Sequence, residues 1–197
     1  MNARATATPR TRTVVLAGTS GGAGTTTVAA LLFAEFSTVE QPRLLDRSDG
    51  ELGRRLTGGD EVDEVSAELT LHDLGPHAGG TGLDRLDDPH AMLLVVTGAT
   101  PKGIAEADAV LAAVRERYGP AGLVRTLVVA VGVFGRLSVA REVEALRVAY
   151  GRRSVLLIPR DPVLAGGGRI PANRLSAETR RAQARLAHIV RERLRTT

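Results

Sequence analysis

Three glycines within four residues, Gly21, Gly22 and Gly24, separate the β-branched run Thr13-Val14-Val15-Leu16-Ala17 from the hydroxyl cluster Thr25-Thr26-Thr27. Glycines at this spacing let backbone N–H groups turn inward and approach a ligand closely. A helix opening directly behind them adds the positive end of its dipole. The chemistry this suits is the binding of a di- or triphosphate, and the candidate contacts are Ser20, Gly21, Gly22, Ala23, Gly24, Thr25, Thr26 and Thr27. A standard phosphate loop ends Gly-Lys-Ser/Thr, so that an ammonium reaches the β- and γ-phosphates and a hydroxyl reaches Mg²⁺. Here Gly24 is followed by Thr25 and Thr26, which keeps the hydroxyl and drops the charge. Lys102 is the single lysine among 26 lysines and arginines, yet the loop position has not become arginine either. Losing a charged contact to a transferring phosphoryl group costs several kcal/mol of catalysis.

Such a loop needs a strand to deliver it and a helix to follow it. Apolar, β-branched runs predict strands over 13–17, 43–46, 69–73, 92–97, 125–131 and 154–158. Helical patterns cover 25–36, 103–118, 138–150 and 176–195. The second carries Ile104, Ala107, Leu111, Val114 and Tyr118 on one face, the third Val139, Val143, Leu146 and Tyr150. This alternation predicts an α/β fold, a mostly parallel sheet flanked by helices, in a single domain over 13–197. In such sheets ligands sit at the carboxyl ends of the strands, where the glycine loop, Asp46 and Asp73 fall. Residues 1–12, polar and rich in Thr, Ala and Arg, read as a disordered lead-in.

Composition narrows the function classes. With 43% apolar residues in 197 the chain can bury one substantial core, and with aromatics at 3% that core is built from Leu, Val and Ala. No cysteine is present, which excludes disulfides and thiolate metal sites, and His72, His77 and His90 lack the i, i+4 spacing of a helical metal site. No apolar run approaches the roughly 18 residues needed to span a bilayer, and the N-terminus lacks a signal pattern, so a cytoplasmic protein is expected. The net charge of +4 permits contact with DNA or anionic lipid, although acids are interspersed among the arginines.

The loop resembles that of the ParA/MinD family of deviant Walker P-loop ATPases, of the SIMIBI class, which typically reads Lys-Gly-Gly-x-Gly-Lys-Thr-Thr against Ser20-Gly21-Gly22-Ala23-Gly24-Thr25-Thr26-Thr27 here. The two charged positions differ: the signature lysine, which in the family reaches across a dimer to the partner's nucleotide, is Ser20, and the P-loop lysine is Thr25. The resemblance implies further roles. Leu44-Leu45-Asp46-Arg47-Ser48-Asp49-Gly50 is similar to switch I, with Asp46, Ser48 and Asp49 as candidates, Ser48 occupying the place of the aspartate that helps position water. Leu71-His72-Asp73-Leu74-Gly75-Pro76 is similar to the Walker B and switch II segment, giving Asp73 and Gly75 the Mg²⁺ side, with Thr26 and Asp73 as the metal-side pair. Ile158-Pro159-Arg160-Asp161-Pro162 is similar to the late-strand motif beside the base, giving Pro159 and Asp161. The run Val128-Val129-Ala130-Val131-Gly132 lacks the asparagine often found there. Together these segments span most of the chain.

By that resemblance the chain is a degenerate member, a nucleotide-dependent switch or pseudo-ATPase with weak or absent hydrolysis that regulates a positioning, partitioning or secretion partner. Its cofactor would be ATP or ADP with Mg²⁺, or none in a pseudo-NTPase, and its partner a protein or a second copy in a homodimer. The terminal helix, with Leu186, Ala187, Val190 and Leu194 on one side and Arg180, Arg181, Arg185, Arg191 and Arg195 mostly elsewhere, offers two readings. It packs on the sheet with a solvated arginine face, or it meets a membrane surface or nucleoid DNA, as terminal or basic elements of family members do. Two other functions stay open. One is an adaptor or scaffold that binds no nucleotide. The other is an NAD(P)-binding Rossmann domain, since Gly18-x-x-x-Gly22-x-Gly24 fits a dinucleotide loop and Asp46 falls where a ribose-binding acid is expected. Against the latter, Tyr118 and Tyr150 are followed by Gly119 and Gly151, and no Tyr-x-x-x-Lys pair exists.

Overall fold

The β-branched runs form six strands, β1 (Arg12–Gly18), β2 (Arg43–Asp46), β3 (Leu69–Asp73), β4 (Ala91–Gly98), β5 (Thr126–Val131) and β6 (Val155–Ile158). The computed structural model describes residues 11–47, 51–56, 68–132 and 139–196. All strand pairs are parallel and the order is β2-β3-β1-β4-β5-β6. Because side chains alternate along a strand, β1 sends Val14 and Leu16 into one core and Val15 and Ala17 into the other. Both faces are covered, which is why the central strands are apolar throughout.

The first core lies under α1 (Thr25–Phe36), α2 (Glu51–Arg55) and α7 (Ala177–Thr196), with Val28, Leu32, Phe36, Leu52, Leu186 and Val190 buried in it. The second lies under α3 (Thr81–Asp84), α4 (Pro101–Val124) and α5 (Ala140–Tyr150), with Leu83, Ile104, Leu111, Val114, Val143 and Leu146. A short α6 (Pro162–Ala165) follows β6. The expected faces of α4, α5 and α7 all point inward, Tyr118 and Tyr150 only partly.

Expectation and structure part company at identifiable places. The expected α4 stops at Tyr118, whereas the helix resumes through Pro120 to Val124 after a break at Gly119, whose φ of 62° and ψ of −156° only glycine adopts freely. Helices α2, α3 and α6 are not visible in the periodicity, because four or five residues are too few to display a 3.6-residue repeat. Arg12, read as the end of the lead-in, is the first residue of β1 and donates its N–H to the Glu68 carbonyl at 2.8 Å. Residues 1–10 of that lead-in and Ser138 at the start of the third expected helix lie outside the described residues.

The terminal helix packs on the fold. Leu186, Ala187 and Val190 are fully buried, and Gln183 donates to the Leu31 carbonyl at 3.1 Å. Arg191 donates to the Glu35 carbonyl at 2.9 Å and stacks on Phe36 at 4.6 Å, while Arg180, Arg181, Arg185 and Arg195 are exposed. The apolar face is therefore spent inside the molecule. Leu186→Ala is expected to cost about 3 kcal/mol of stability by chemical denaturation, whereas Arg185→Ala stays within about 0.5 kcal/mol of the parent. Equal effects would contradict this packing. No helix among the described residues is long and apolar enough to cross a membrane.

Candidate functional site

The loop after β1 leaves the sheet where the chain reverses its direction of travel, with β3 on one side of β1 and β4 on the other. Its root is held from both. The Gly18 N–H donates to the Gly75 carbonyl at 2.7 Å, the Thr19 N–H donates to the Val96 carbonyl at 2.9 Å, and the Thr19 and Thr97 hydroxyls share a hydrogen bond of 3.0 Å. Gly18 permits this closeness, since a Cβ there would stand 2.6 Å from Thr25 Oγ1 and 3.2 Å from the Ser20 carbonyl oxygen. Thr25, at the place of the P-loop lysine, is accordingly buried, with its hydroxyl turned back over Gly18.

Gly24, at φ 92° and ψ 19°, caps α1 with backbone alone. The N–H groups of Gly21, Gly22, Gly24, Thr25, Thr26 and Thr27 find no acceptor among the described residues, while Ala23 N–H makes one long bond of 3.3 Å to the Ser20 carbonyl. Unpaired donors converging on a helix N-terminus fit a polyphosphate. They line a cleft of about 650 Å³, in the size range of small-molecule sites, about 300–1,000 Å³. Arg47, Glu51, Arg55, Gly75 and Pro76 form one wall, and Val131, Gly132, Asp161, Leu164 and Ala165 the other.

Asp73 lies beneath the loop, fully buried. Its Oδ1 accepts the Gly75 N–H at 2.9 Å, and its Oδ2 is buried with no hydrogen-bond partner. Burial pushes its pKa up. The Gly75 N–H and the Thr26 hydroxyl pull the other way, and the charge of Asp46 adds to the rise. A buried carboxylate oxygen lacking a partner, beside a threonine hydroxyl, fits a hydrated divalent cation. Thr26 and Asp73 are the residues that would hold Mg²⁺, which when bound would neutralise charge on the polyphosphate oxygens.

Asp46 pairs in register with Asp73 across β2 and β3, and its Oδ2 accepts the Leu52 N–H at 3.2 Å, tying down the start of α2. Ser48 and Asp49 lie outside the described residues. Asp161 borders the cleft, but its carboxylate faces inward, accepting the Val163 N–H at 3.0 Å and the Ser176 N–H at 2.9 Å. Burial would raise its pKa, yet the N–H of Ser176, the Thr179 hydroxyl, the N–H of Val163 and the Ser176 hydroxyl outweigh it and bring the pKa down. Pro159 is not among the cleft's lining residues. His72 is buried and driven toward the neutral form by burial, then by Arg85 and Arg47. Among the described residues no group of His, Asp and Glu is arranged to hold a metal by itself.

Arg47, Glu51 and Arg55 are cleft residues that the sequence reading passed over. Arg47 adjoins Asp46 in the switch-like segment, but nothing in its residue type marks it for the cleft, and α2 offers no signal at its length. The strand order also corrects the dinucleotide alternative. A Rossmann sheet runs 3-2-1-4-5-6, placing β2 and its terminal acid beside β1. Here β3 intervenes, β2 is the edge strand, and Asp46 stands against Asp73 and α2.

No model of a known protein family matches the chain, and neither does any curated protein. Solved structures do. A ParA family ATPase from Chlorobium tepidum aligns over 90% of this chain and 98% of its own at 14% identity and a TM-score of 0.63. An ATP complex of a McdA variant from Cyanothece aligns over 93% and 97% at 13% identity and a TM-score of 0.62. The MinC:MinD cell division complex from Aquifex aeolicus aligns over 94% and 95% at 15% identity and a TM-score of 0.54. These alignments take in 90–94% of the chain, which has the α/β fold of the ParA/MinD ATPases.

Proposed function

We propose that the chain is a nucleotide-dependent switch that binds Mg²⁺-ATP or ADP in the loop cleft and hydrolyses it slowly or not at all. The observation that carries this reading is a preserved phosphate cradle and Thr26–Asp73 pair beside Ser20 and Thr25, two uncharged residues at positions that in the resembling loops hold lysine. The binding parts are kept and the charges that stabilise a transferring phosphoryl group from this loop are gone. Bound nucleotide then sets association with a protein partner or a second copy. One of the fold neighbours is itself a MinC:MinD complex, which supports a partner of this kind.

The test is calorimetric titration with ATP, ADP, GTP and NAD, each with Mg²⁺, followed by a phosphate-release assay. Saturable ATP or ADP binding with negligible release is the expected result. Turnover abolished by Asp73→Ala would overturn the claim of weak hydrolysis. No binding of any nucleotide would overturn the switch and leave an adaptor or scaffold. Light scattering with and without nucleotide reads the associated state, a nucleotide-induced dimer being the form that a scaffold would not show.

A further inference from the structure

The loop supplies N–H donors and a helix dipole but no formal positive charge, and a triphosphate with Mg²⁺ still carries net negative charge. Charge reaches this cleft from elsewhere. Arg47 and Arg55 line the same cleft as the loop, one directly after β2 and the other at the end of α2. Arg47 has its backbone fixed, its N–H donating to the Asp73 carbonyl at 3.0 Å, while its exposed side chain has no hydrogen-bond or ion-pair partner among the described residues. Among the described residues the Arg55 side chain makes only a long contact of 3.5 Å to the Leu164 carbonyl, and its buried Nε has no partner. Among the described residues neither guanidinium is matched to a carboxylate. The acid on the same wall, Glu51, is engaged by Arg54 at 3.0 Å, and the Asp161 carboxylate accepts backbone N–H groups.

We propose that Arg47 and Arg55 take over the electrostatic role of the missing loop lysines, binding the terminal phosphates of a nucleoside triphosphate in the cleft that the glycine loop lines. The inference rests on the nucleotide-binding reading above and names the residues that select the triphosphate. Guanidinium suits the task because its planar fork matches phosphate oxygens in pairs and stays charged at every working pH. The placement has a mechanical consequence. Arg55 accepts the Ile170 N–H on its carbonyl at 3.1 Å and reaches the Leu164 carbonyl with its guanidinium, so α2 spans from the β2 side to the β6 side of the cleft. A triphosphate held by Arg47 and Arg55 would clamp that span, whereas a monophosphate would not reach it.

The experiment titrates the full chain with Mg²⁺-ATP, Mg²⁺-ADP, AMP and inorganic tripolyphosphate by calorimetry. The proteins are the parent, Arg47→Gln, Arg55→Gln, Arg55→Lys, the double Arg47→Gln/Arg55→Gln and, as an exposed control away from the cleft, Arg185→Gln. Each single Gln variant is expected to weaken ATP and tripolyphosphate by about tenfold and the double by about a hundredfold, as for loss of a charge-assisted contact. ADP falls less, AMP changes by less than about threefold, and Arg185→Gln matches the parent. Arg55→Lys keeps the charge but not the fork and recovers part of the loss. Circular dichroism checks folding. Should Arg55→Gln fail to fold, Arg47→Gln, at an exposed side chain, decides the matter alone. Parent-like ATP affinity in Arg47→Gln and the double variant would overturn the role of the arginines while leaving the nucleotide reading intact. Absence of ATP binding by the parent would overturn both.

Discussion

Asp73→Asn is expected to raise the melting temperature of the ligand-free chain and to remove the Mg²⁺ dependence of nucleotide binding. The carboxylate is fully buried and only one of its oxygens is hydrogen-bonded. Burial raises its pKa, so the folded chain holds this group's proton more readily than the unfolded chain does. At neutral pH the ionised group therefore disfavours folding, and that penalty is relieved as pH falls through the raised folded pKa. Asn has the same shape without the charge, so the variant should gain about 1–2 kcal/mol, read as a Tm increase of roughly 2–6 °C in a domain of this size. Asp161 behaves in the opposite sense. Its lowered pKa gives stability that is present above the ordinary carboxylate value and lost as pH falls through the folded one. Melts across a pH series separate the two, the low-pH loss persisting in Asp73→Asn. A lower Tm in that variant, or Mg²⁺-dependent binding that survives it, would contradict the assigned role.

Thr25→Lys is expected to strengthen ATP binding by about ten- to a hundredfold and to strengthen ADP by less, the range of one hydrogen bond from a charged donor. Thr25 is the first residue of α1, and its hydroxyl is packed back toward Gly18. A lysine at this place has a stem long enough to leave that contact and bring its ammonium to the phosphates. The measurement is the same titration, with phosphate release followed in Thr25→Lys and in Ser20→Lys/Thr25→Lys. Release that appears only when the lysines are present would show that this loop lost its catalytic charge and kept its scaffold. Unchanged ATP affinity in a folded Thr25→Lys would mean that the phosphates do not lie over this loop.

How far the site was legible can be judged residue by residue. The glycine loop, the start of α1 at Thr25 and the ends of β2 at Asp46 and β3 at Asp73 coincide with the sequence reading. All four are marked by the residues themselves, glycines that break a β-branched run or acids that end one. Pro159 and Asp161 were legible as a motif but not as geometry, since only the folded chain turns the Asp161 carboxylate away from the cleft to accept the Val163 and Ser176 N–H groups. Arg47 and Arg55 were not legible as cleft residues. Arginine is frequent throughout this chain, and nothing local distinguishes a guanidinium facing a ligand from one facing solvent.

The amino-acid sequence by itself determined the parallel α/β class, the glycine-rich loop after the first strand and the absence of lysine from it, because alternation of strand and helix patterns and the conformational freedom of glycine act between near neighbours. Tertiary structure alone decided that β3 rather than β2 lies beside β1, that one carboxylate oxygen of Asp73 is buried without a partner among the described residues, and that two arginines line the same cleft as the loop. Those outcomes depend on packing between segments far apart in the chain, where burial and hydrogen-bond satisfaction of the whole sheet choose among arrangements that local preferences leave equal.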